Sequence, residues 1–271
     1  MRRFAYKLLS LSFTSWEYPN KLGIGCNGIN DKDADNFLLF LEELRAHPAG
    51  KILILTAAAA TSPWADPDGK PLTDVSSFAK IFDHVTVMNY DIWGSWSPTV
   101  GPNAPLDDSC ASPANQIGSA ASAVKAWTDA GMPANKLVLG VPAYGHSFRV
   151  RRKDAFVQGS TTQLAPYPSF DAQDQPAGDK WDGQPGEVDV CGVKTTQPGG
   201  VVTYWGMIDL GYLDHDGSPK SGRPFLFDTC SKTVSVNVCS ALILVFNFFL
   251  INRFTHTIQK RKSWFPTMTH R

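Results

Sequence analysis

Glu17 stands between two aromatic side chains in Trp16-Glu17-Tyr18-Pro19. A carboxyl group walled by aromatic rings is poorly solvated, and desolvation disfavours its charged form. Such a group suits a general acid at mildly acidic pH; the same four residues also fit an ordinary surface glutamate beside a turn-forming proline. Asp91 follows Met88-Asn89-Tyr90 at the end of an apolar run and precedes the aromatic loop Trp93-Gly94-Ser95-Trp96. It reads either as a polar group at the mouth of a cleft or as a turn aspartate. Trp93 and Trp96 are either core residues or, in a Gly/Ser loop, flat faces for stacking on sugar rings. Tyr144 closes a further apolar run, flanked by Pro142 and Gly145.

The elements that must position these residues alternate. Asp33–Ala46 has Phe37, Leu38, Leu41 and Leu44 at three- and four-residue spacing, the stripe of an amphipathic helix. Lys51–Ala59 is a continuous apolar run, the pattern of a strand buried on both faces. A short helix is expected over 75–82, a strand over Val85–Tyr90, a helix over Gln116–Ala130 and a third buried strand over Leu137–Tyr144. Helix and strand in alternation give a parallel α/β fold, in which strand ends converge on one site. From His146 to Asp228, Gly, Pro, Asp and aromatics dominate, so a small mixed insertion with a short helix over Gly206–Tyr212 is expected. No glycine-rich phosphate loop follows any strand, so nucleotide binding has no motif behind it.

Charge is unevenly distributed over the 271 residues. All 25 acidic residues lie between Glu17 and Asp228, a span holding 16 Lys and Arg, for a net −9. Residues 1–16 and 229–271 carry basic residues and no acid. An acidic body argues against nucleic acid as a partner, since neutralising a phosphate backbone needs clustered Lys and Arg. The apolar run Cys239–Ile251 is shorter than a spanning helix, so membrane contact is not expected. The opening MRRFAYKLLSLSF lacks the long apolar region and cleavage site of a signal peptide. The five cysteines form no CxxC and sit at no metal-ligand spacing with histidine. Cys26, Cys110, Cys191 and Cys230 fit two disulfides in an oxidising compartment, with three pairings open; Cys239 is left over.

Taken together, the motifs resemble glycoside hydrolase family 18, especially fungal endochitinases. WEYPN at Trp16–Asn20 is similar to the end of the family's D-x-x-D-x-D-x-E motif and the Tyr-Pro that follows it. Met88, Tyr90 and Asp91 match its Met-x-Tyr-Asp, and Gly140, Pro142, Tyr144 and Gly145 match its Gly-x-Pro-x-Tyr-Gly. The resemblance implies a partial TIM (β/α)8 barrel covering about strands 4–7, with a small α+β insertion before strand 8. It divides the chain into an atypical segment 1–15, a partial barrel 16–145, an insertion 146–230 and an atypical tail 231–271. It implies hydrolysis of β-1,4-N-acetylglucosamine linkages in chitin or chito-oligosaccharides, with retention and with the substrate's own acetamido oxygen as nucleophile. Glu17 then protonates the glycosidic oxygen, Tyr90 and Asp91 hold the acetamido group, and Trp16, Met88, Trp93 and Tyr144 line the cleft. No metal or cofactor is implied. Extracellular location and the bridges Cys26–Cys110 and Cys191–Cys230 are implied as well.

The chain departs from the family pattern at the motif's three aspartates. Counted back from Glu17 they fall at Ser15, Phe13 and Ser10. Ser15 offers a hydrogen bond but no negative charge to the forming intermediate. Strands 1–3 and 8 have no counterpart, and composition changes near residues 16 and 231. That pattern is expected if residues 1–15 and roughly 233–271 are translated intron or other sequence foreign to the ancestral enzyme. Three readings stay open: a chitinase, a non-catalytic chitin-binding lectin, and an inactive fragment from an incomplete gene model.

Overall fold

The computed structural model describes residues 10–12, 16–23, 25–239 and 242–247. The described chain forms two compact units, one holding residues up to 89 together with 120–140, the other 90–119 and 141 onward.

The first unit is a parallel sheet with a helix between successive strands. In chain order its elements are β1 (Ser10–Ser12), α1 (Asp33–Ala46), β2 (Ile54–Ala59), α2 (Ser76–Ile81), β3 (His84–Met88), α3 (Ala120–Asp129) and β4 (Leu137–Gly140). Sheet order is β1-β2-β3-β4, all parallel, with Ser12 opposite Thr56, Ala58 opposite Thr86 and Thr86 opposite Val138. Four strands in sequence order with intervening helices make an arc of a β/α barrel; no closed barrel occurs among the described residues. The expected stripe on α1 is borne out: Phe37 and Leu41 are buried and Leu38 and Leu44 pack against the same core. Leu55, Ala57 and Ala59 of β2 and Val85 and Val87 of β3 complete that core with Trp64, Phe78, Phe82 and Trp127.

Three expectations for this unit are corrected. β2 is not buried on both faces, because its residues alternate between buried and more exposed. The third buried strand is instead two strands, β4 and β5 (Tyr144–Arg149), and Val138 and Leu139 of β4 are exposed. Pro142 between them has no N–H to continue a ladder. Helix α3 also starts four residues later than its periodicity suggests. The Asp108 carboxylate accepts hydrogen bonds from Gly118 N–H and the Ser119 hydroxyl, and Gly118 takes a positive φ of 141°, which diverts the chain before the helix can begin.

The second unit is built on an antiparallel sheet. After β5 come a short α4 (Arg152–Ala155), β6 (Val201–Thr203), α5 (Tyr204–Asp209), β7 (Phe225–Asp228), β8 (Thr233–Cys239) and β9 (Leu242–Asn247), in the order β6-β5-β9-β8-β7. Helix α5 begins before the expected Gly206, since the Thr203 side chain caps it by accepting from Gly206 N–H, and it closes before Gly211 at φ 69°. The two strands beyond residue 230, set apart on composition, are central to this sheet. Leu244 of β9 packs with Val202, Met207, Val234 and Val236, while Ile243 and Val245 pack with Phe148 and Val150. Period-two alternation thus buries β9 on both faces. No helix among the described residues is long and apolar enough to cross a membrane. Ser15, Phe13, residues 1–9 and everything after 247 lie outside the described residues.

The disulfide expectation is corrected too. Cys110 is bonded to Cys230, with Cα atoms 6.2 Å apart, inside the range a disulfide spans. Each sulfur makes one such bond, so neither Cys26–Cys110 nor Cys191–Cys230 forms.

Candidate functional site

Glu17, Trp16 and Met88 belong to the first unit. Trp16 and Glu17 lie beyond β1 in irregular backbone. The Trp16 ring meets Phe37 edge-on at 5.5 Å. The Glu17 carbonyl accepts from Asn27 Nδ2 at 3.0 Å. Gly23 packs so closely that a Cβ there would lie 2.1 Å from that carbonyl oxygen. A turn follows, in which Tyr18 and Lys21 exchange backbone hydrogen bonds. Asn20 at its corner takes φ 50° and donates through its backbone N–H to Asp33. Met88 ends β3, half-buried, opposite Gly140.

Tyr90, Asp91 and Tyr144 are brought together in the second unit. The Tyr144 hydroxyl donates to Asp91 Oδ1 at 2.7 Å, and the two tyrosine rings sit edge-to-face at 6.4 Å. Two partners were not singled out in the sequence. His146 Nε2 lies 2.8 Å from the same Oδ1. A carboxylate only accepts, so Nε2 is the nitrogen that carries the hydrogen. Tyr144 and His146 are two apart on β5 and therefore share a face, a signal the sequence did contain. Asn103 had no such signal. It is fully buried, accepts from the Asp91 N–H through Oδ1 at 2.8 Å, and donates through Nδ2 to the Tyr144 carbonyl at 3.1 Å. Asp91 sits at φ 55°, a left-handed conformation that costs a non-glycine residue about 1–3 kcal/mol unless its surroundings hold it. Asn103, Tyr144 and His146 supply that hold.

The electrostatics follow from the same contacts. Burial pushes the Asp91 carboxyl up, but the hydrogen bonds from His146 and Tyr144 outweigh it and hold Asp91 below the ordinary aspartate value. Burial first, then the hydrogen bond to Asp91 and its charge, push the Tyr144 phenol well above the ordinary range, so it stays a donor. Both donors converge on Oδ1, and among the described residues Oδ2 accepts no hydrogen bond. The arrangement is a fixed anionic acceptor with one oxygen open to a donor on a ligand.

The two tryptophans of the loop divide. Trp93 is 1% exposed, packs at a tilt against Tyr167 with ring centres 5.5 Å apart, and leaves no room for a Cβ at Gly101, so it is a core residue and not a stacking face. Trp96 is 63% exposed and meets the His146 ring edge-on at 5.6 Å. A tight turn presents it: Ser97 N–H donates to the Gly94 carbonyl and Gly94 N–H to the Ser97 hydroxyl.

Comparisons with known proteins agree with this architecture. The sequence profile of the glycosyl hydrolases family 18 matches residues 11–235. A chitinase-like effector of Moniliophthora roreri is 58% identical over 219 residues, covering 81% of this chain and 52% of that protein. A chitinase-like effector of Moniliophthora perniciosa is 55% identical, covering 80% of this chain and 49% of that protein. The chain thus spans about half the length of these relatives. Among solved structures, a chitinase from Rhizomucor miehei aligns with a TM-score of 0.76 at 29% identity, over 95% of this chain and 67% of that one. A class V chitinase from Nicotiana tobaccum, crystallised with NAG4, shares the fold at a TM-score of 0.60 and 23% identity, over 93% and 60% of the two chains. With its parallel β/α arc, Tyr90 and Asp91 just beyond β3, Tyr144 at the start of β5, and a profile match over most of its length, the chain belongs to glycosyl hydrolases family 18.

Proposed function

We propose that this chain captures N-acetylglucosamine oligomers outside the cell, with hydrolysis strongly slowed relative to a working chitinase. The observation that carries the reading is the Asp91 carboxylate, fixed by Tyr144 and His146 through one oxygen and open at the other. An acetamido group offers one N–H, and an oriented carboxylate oxygen is the matching acceptor; a charge-assisted hydrogen bond of this kind is among the stronger ones. The Tyr90 ring meets that of Tyr144, and the exposed Trp96 ring meets that of His146, the two side chains that hold the carboxylate. In a substrate-assisted mechanism the sugar's acetamido oxygen attacks the anomeric carbon while Glu17 protonates the leaving oxygen. Ser15 stands where the family has an aspartate, and brings no negative charge to the cationic intermediate. Removing one such preorganised electrostatic contact costs about 10²–10³ in rate. The relatives named chitinase-like effector favour the same reading.

Retention of Glu17 favours a second reading, a functioning hydrolase. Calorimetric binding and product analysis with chito-oligosaccharides separate the two, run on the chain and on Glu17→Gln and Ser15→Asp. Binding without cleavage, and cleavage gained in Ser15→Asp, is the expected result. Cleavage by the unmodified chain that disappears in Glu17→Gln would establish the hydrolase instead. A chain that binds no oligomer would sink both.

A further inference from the structure

Asn103 fixes the Asp91 backbone, and the segment that carries Asn103 runs on to a disulfide. At the near end the Asn103 carbonyl accepts from Ile92 N–H at 3.1 Å, in addition to its two side-chain bonds to Asp91 and Tyr144. At the far end Cys110 is bonded to Cys230, in the turn between β7 and β8. Leu106 N–H donates to the Ser231 carbonyl of the same turn at 2.8 Å. That turn is a firm anchor. The Asp228 carboxylate accepts from Cys230 N–H at 2.9 Å and from the Ser231 hydroxyl at 2.7 Å, and the Ser231 and Thr233 hydroxyls meet at 2.6 Å. Pro102 and Pro105 stand on either side of Asn103. Each locks φ, so a shift at Leu106 is passed to Asn103 more than it is absorbed on the way.

The bond is open to a reagent. Cys110 is exposed and Cys230 half-buried. Both line a cavity of about 380 Å³, together with Pro102, Pro105 and the carboxylate residues Asp107 and Asp228. The cavity gives a small thiol access to the sulfurs, and it leaves the segment room to move once the bond is gone. Carboxylates beside the sulfurs repel an anionic thiol, so the fitting reductant is small and uncharged. Neither apolar core of the second unit contains Asn103 or either cysteine. Opening the bond therefore removes a tie on the site and leaves the packing that holds the unit folded.

From this geometry we infer that the Cys110–Cys230 bond is a redox-sensitive latch on the Asp91 site, opened by a small dithiol. A thiolate of the dithiol attacks Cys110 Sγ, the more accessible sulfur. A mixed disulfide forms on Cys110, the bond to Cys230 breaks, and the electron pair leaves on Cys230 Sγ, which takes up a proton. The second thiol of the reductant then loses its proton and attacks the mixed disulfide. Cys110 leaves as a thiolate and is protonated, and the reductant departs as a cyclic disulfide. Two electrons and two protons have passed from the dithiol to the cysteine pair. Freed at its far end, the segment relaxes, Asn103 holds the Asp91 N–H for only part of the time, and the carboxylate loses its fixed direction. The inference rests on the binding reading and adds regulation to it.

Amide hydrogen exchange and titration calorimetry with an N-acetylglucosamine oligomer test this on the full chain, before and after treatment with dithiothreitol and again after reoxidation. The double variant Cys110→Ser/Cys230→Ser is the control that dithiothreitol acts through this bond. Reduction should speed exchange of the Asp91, Ile92 and Leu106 amides while those of β8 and β9 stay protected. It should also raise Kd about 2- to 10-fold, the worth of one orienting hydrogen bond. Reoxidation should restore both, and dithiothreitol should change neither in the double variant. Unchanged exchange at Asp91 and Ile92 with the bond fully reduced overturns the latch, and so does a bond that dithiothreitol leaves intact. Exchange that spreads through β8 and β9 overturns it as well, because the bond then holds the whole unit and not the site. Faster exchange at Asp91 with Kd unchanged overturns its control of capture. If the oxidised chain binds no oligomer, the binding reading falls, and the exchange of Asp91 and Ile92 alone decides whether the bond fixes that residue.

Discussion

The Asp91 carboxylate gains its usefulness from what surrounds it. Two donors on one oxygen and a buried asparagine on its N–H leave a single direction open. Asp91→Asn keeps the size and removes the charge; the Kd of a chito-oligosaccharide, read by calorimetry, should rise about 10- to 100-fold, the usual worth of a hydrogen bond to a charged group. Asn103→Ala should lower stability by about 2–3 kcal/mol in urea unfolding, because it strands the Asp91 N–H and the Tyr144 carbonyl in a buried place. The pH dependence has a definite sign. Asp91 is held below its unfolded value, so its contribution is complete above about pH 4 and is lost as pH falls through the lower folded value. Unfolding followed at pH 7, 5 and 3 should show a fall at the acid end that is shallower in Asp91→Asn. Tyr90, Asp91 and Tyr144 were legible in the sequence because each follows an apolar strand run. Asn103 was not, since it acts twelve residues from Asp91 and forty-one from Tyr144, and nothing in its Pro-rich surroundings marks it.

Among the elements, the alternation of helix and strand was readable because period 3.6 and continuous apolar runs are local properties of the chain. The ends of elements were less so. Helix α3 is cut short by an aspartate ten residues away, and the run Leu137–Tyr144 is divided between two sheets at a proline. Trp127 shows how the parallel arc holds its helices. Its side chain on α3 is fully buried, stands edge-on to Trp64 at 4.9 Å, and donates through Nε1 to the Ala60 carbonyl at 3.1 Å, just after β2. Trp127→Ala should cost about 3–5 kcal/mol, the range for emptying a buried aromatic site, measured as a shift in urea midpoint at constant slope.

For the molecule as a whole, the basic, acid-free end of the chain carries structure that its composition conceals. Strands β8 and β9 come from that stretch, and removing them would leave β7 without a partner, leave β5 paired with β6 alone, and open two cores. A chain stopped after Cys230 should expose the second unit to limited proteolysis at sites that are protected in the full chain. The Cys110–Cys230 bond closes a loop of sequence separation 120 within the same unit; Cys110→Ser should destabilise it by about 2–5 kcal/mol. The sequence by itself determined the family, the parallel β/α arc and the place of Tyr90 and Asp91 just beyond a strand, because those depend on local periodicity and short motifs; Tyr144, expected to close a strand, opens β5 instead. Only the tertiary structure decided which tryptophan is core and which is exposed, which cysteines pair, that His146 and Asn103 hold Asp91, and that residues past 230 pair within a sheet. Each of these depends on contacts between residues far apart in the chain, and a one-dimensional pattern does not record which distant groups fold against one another.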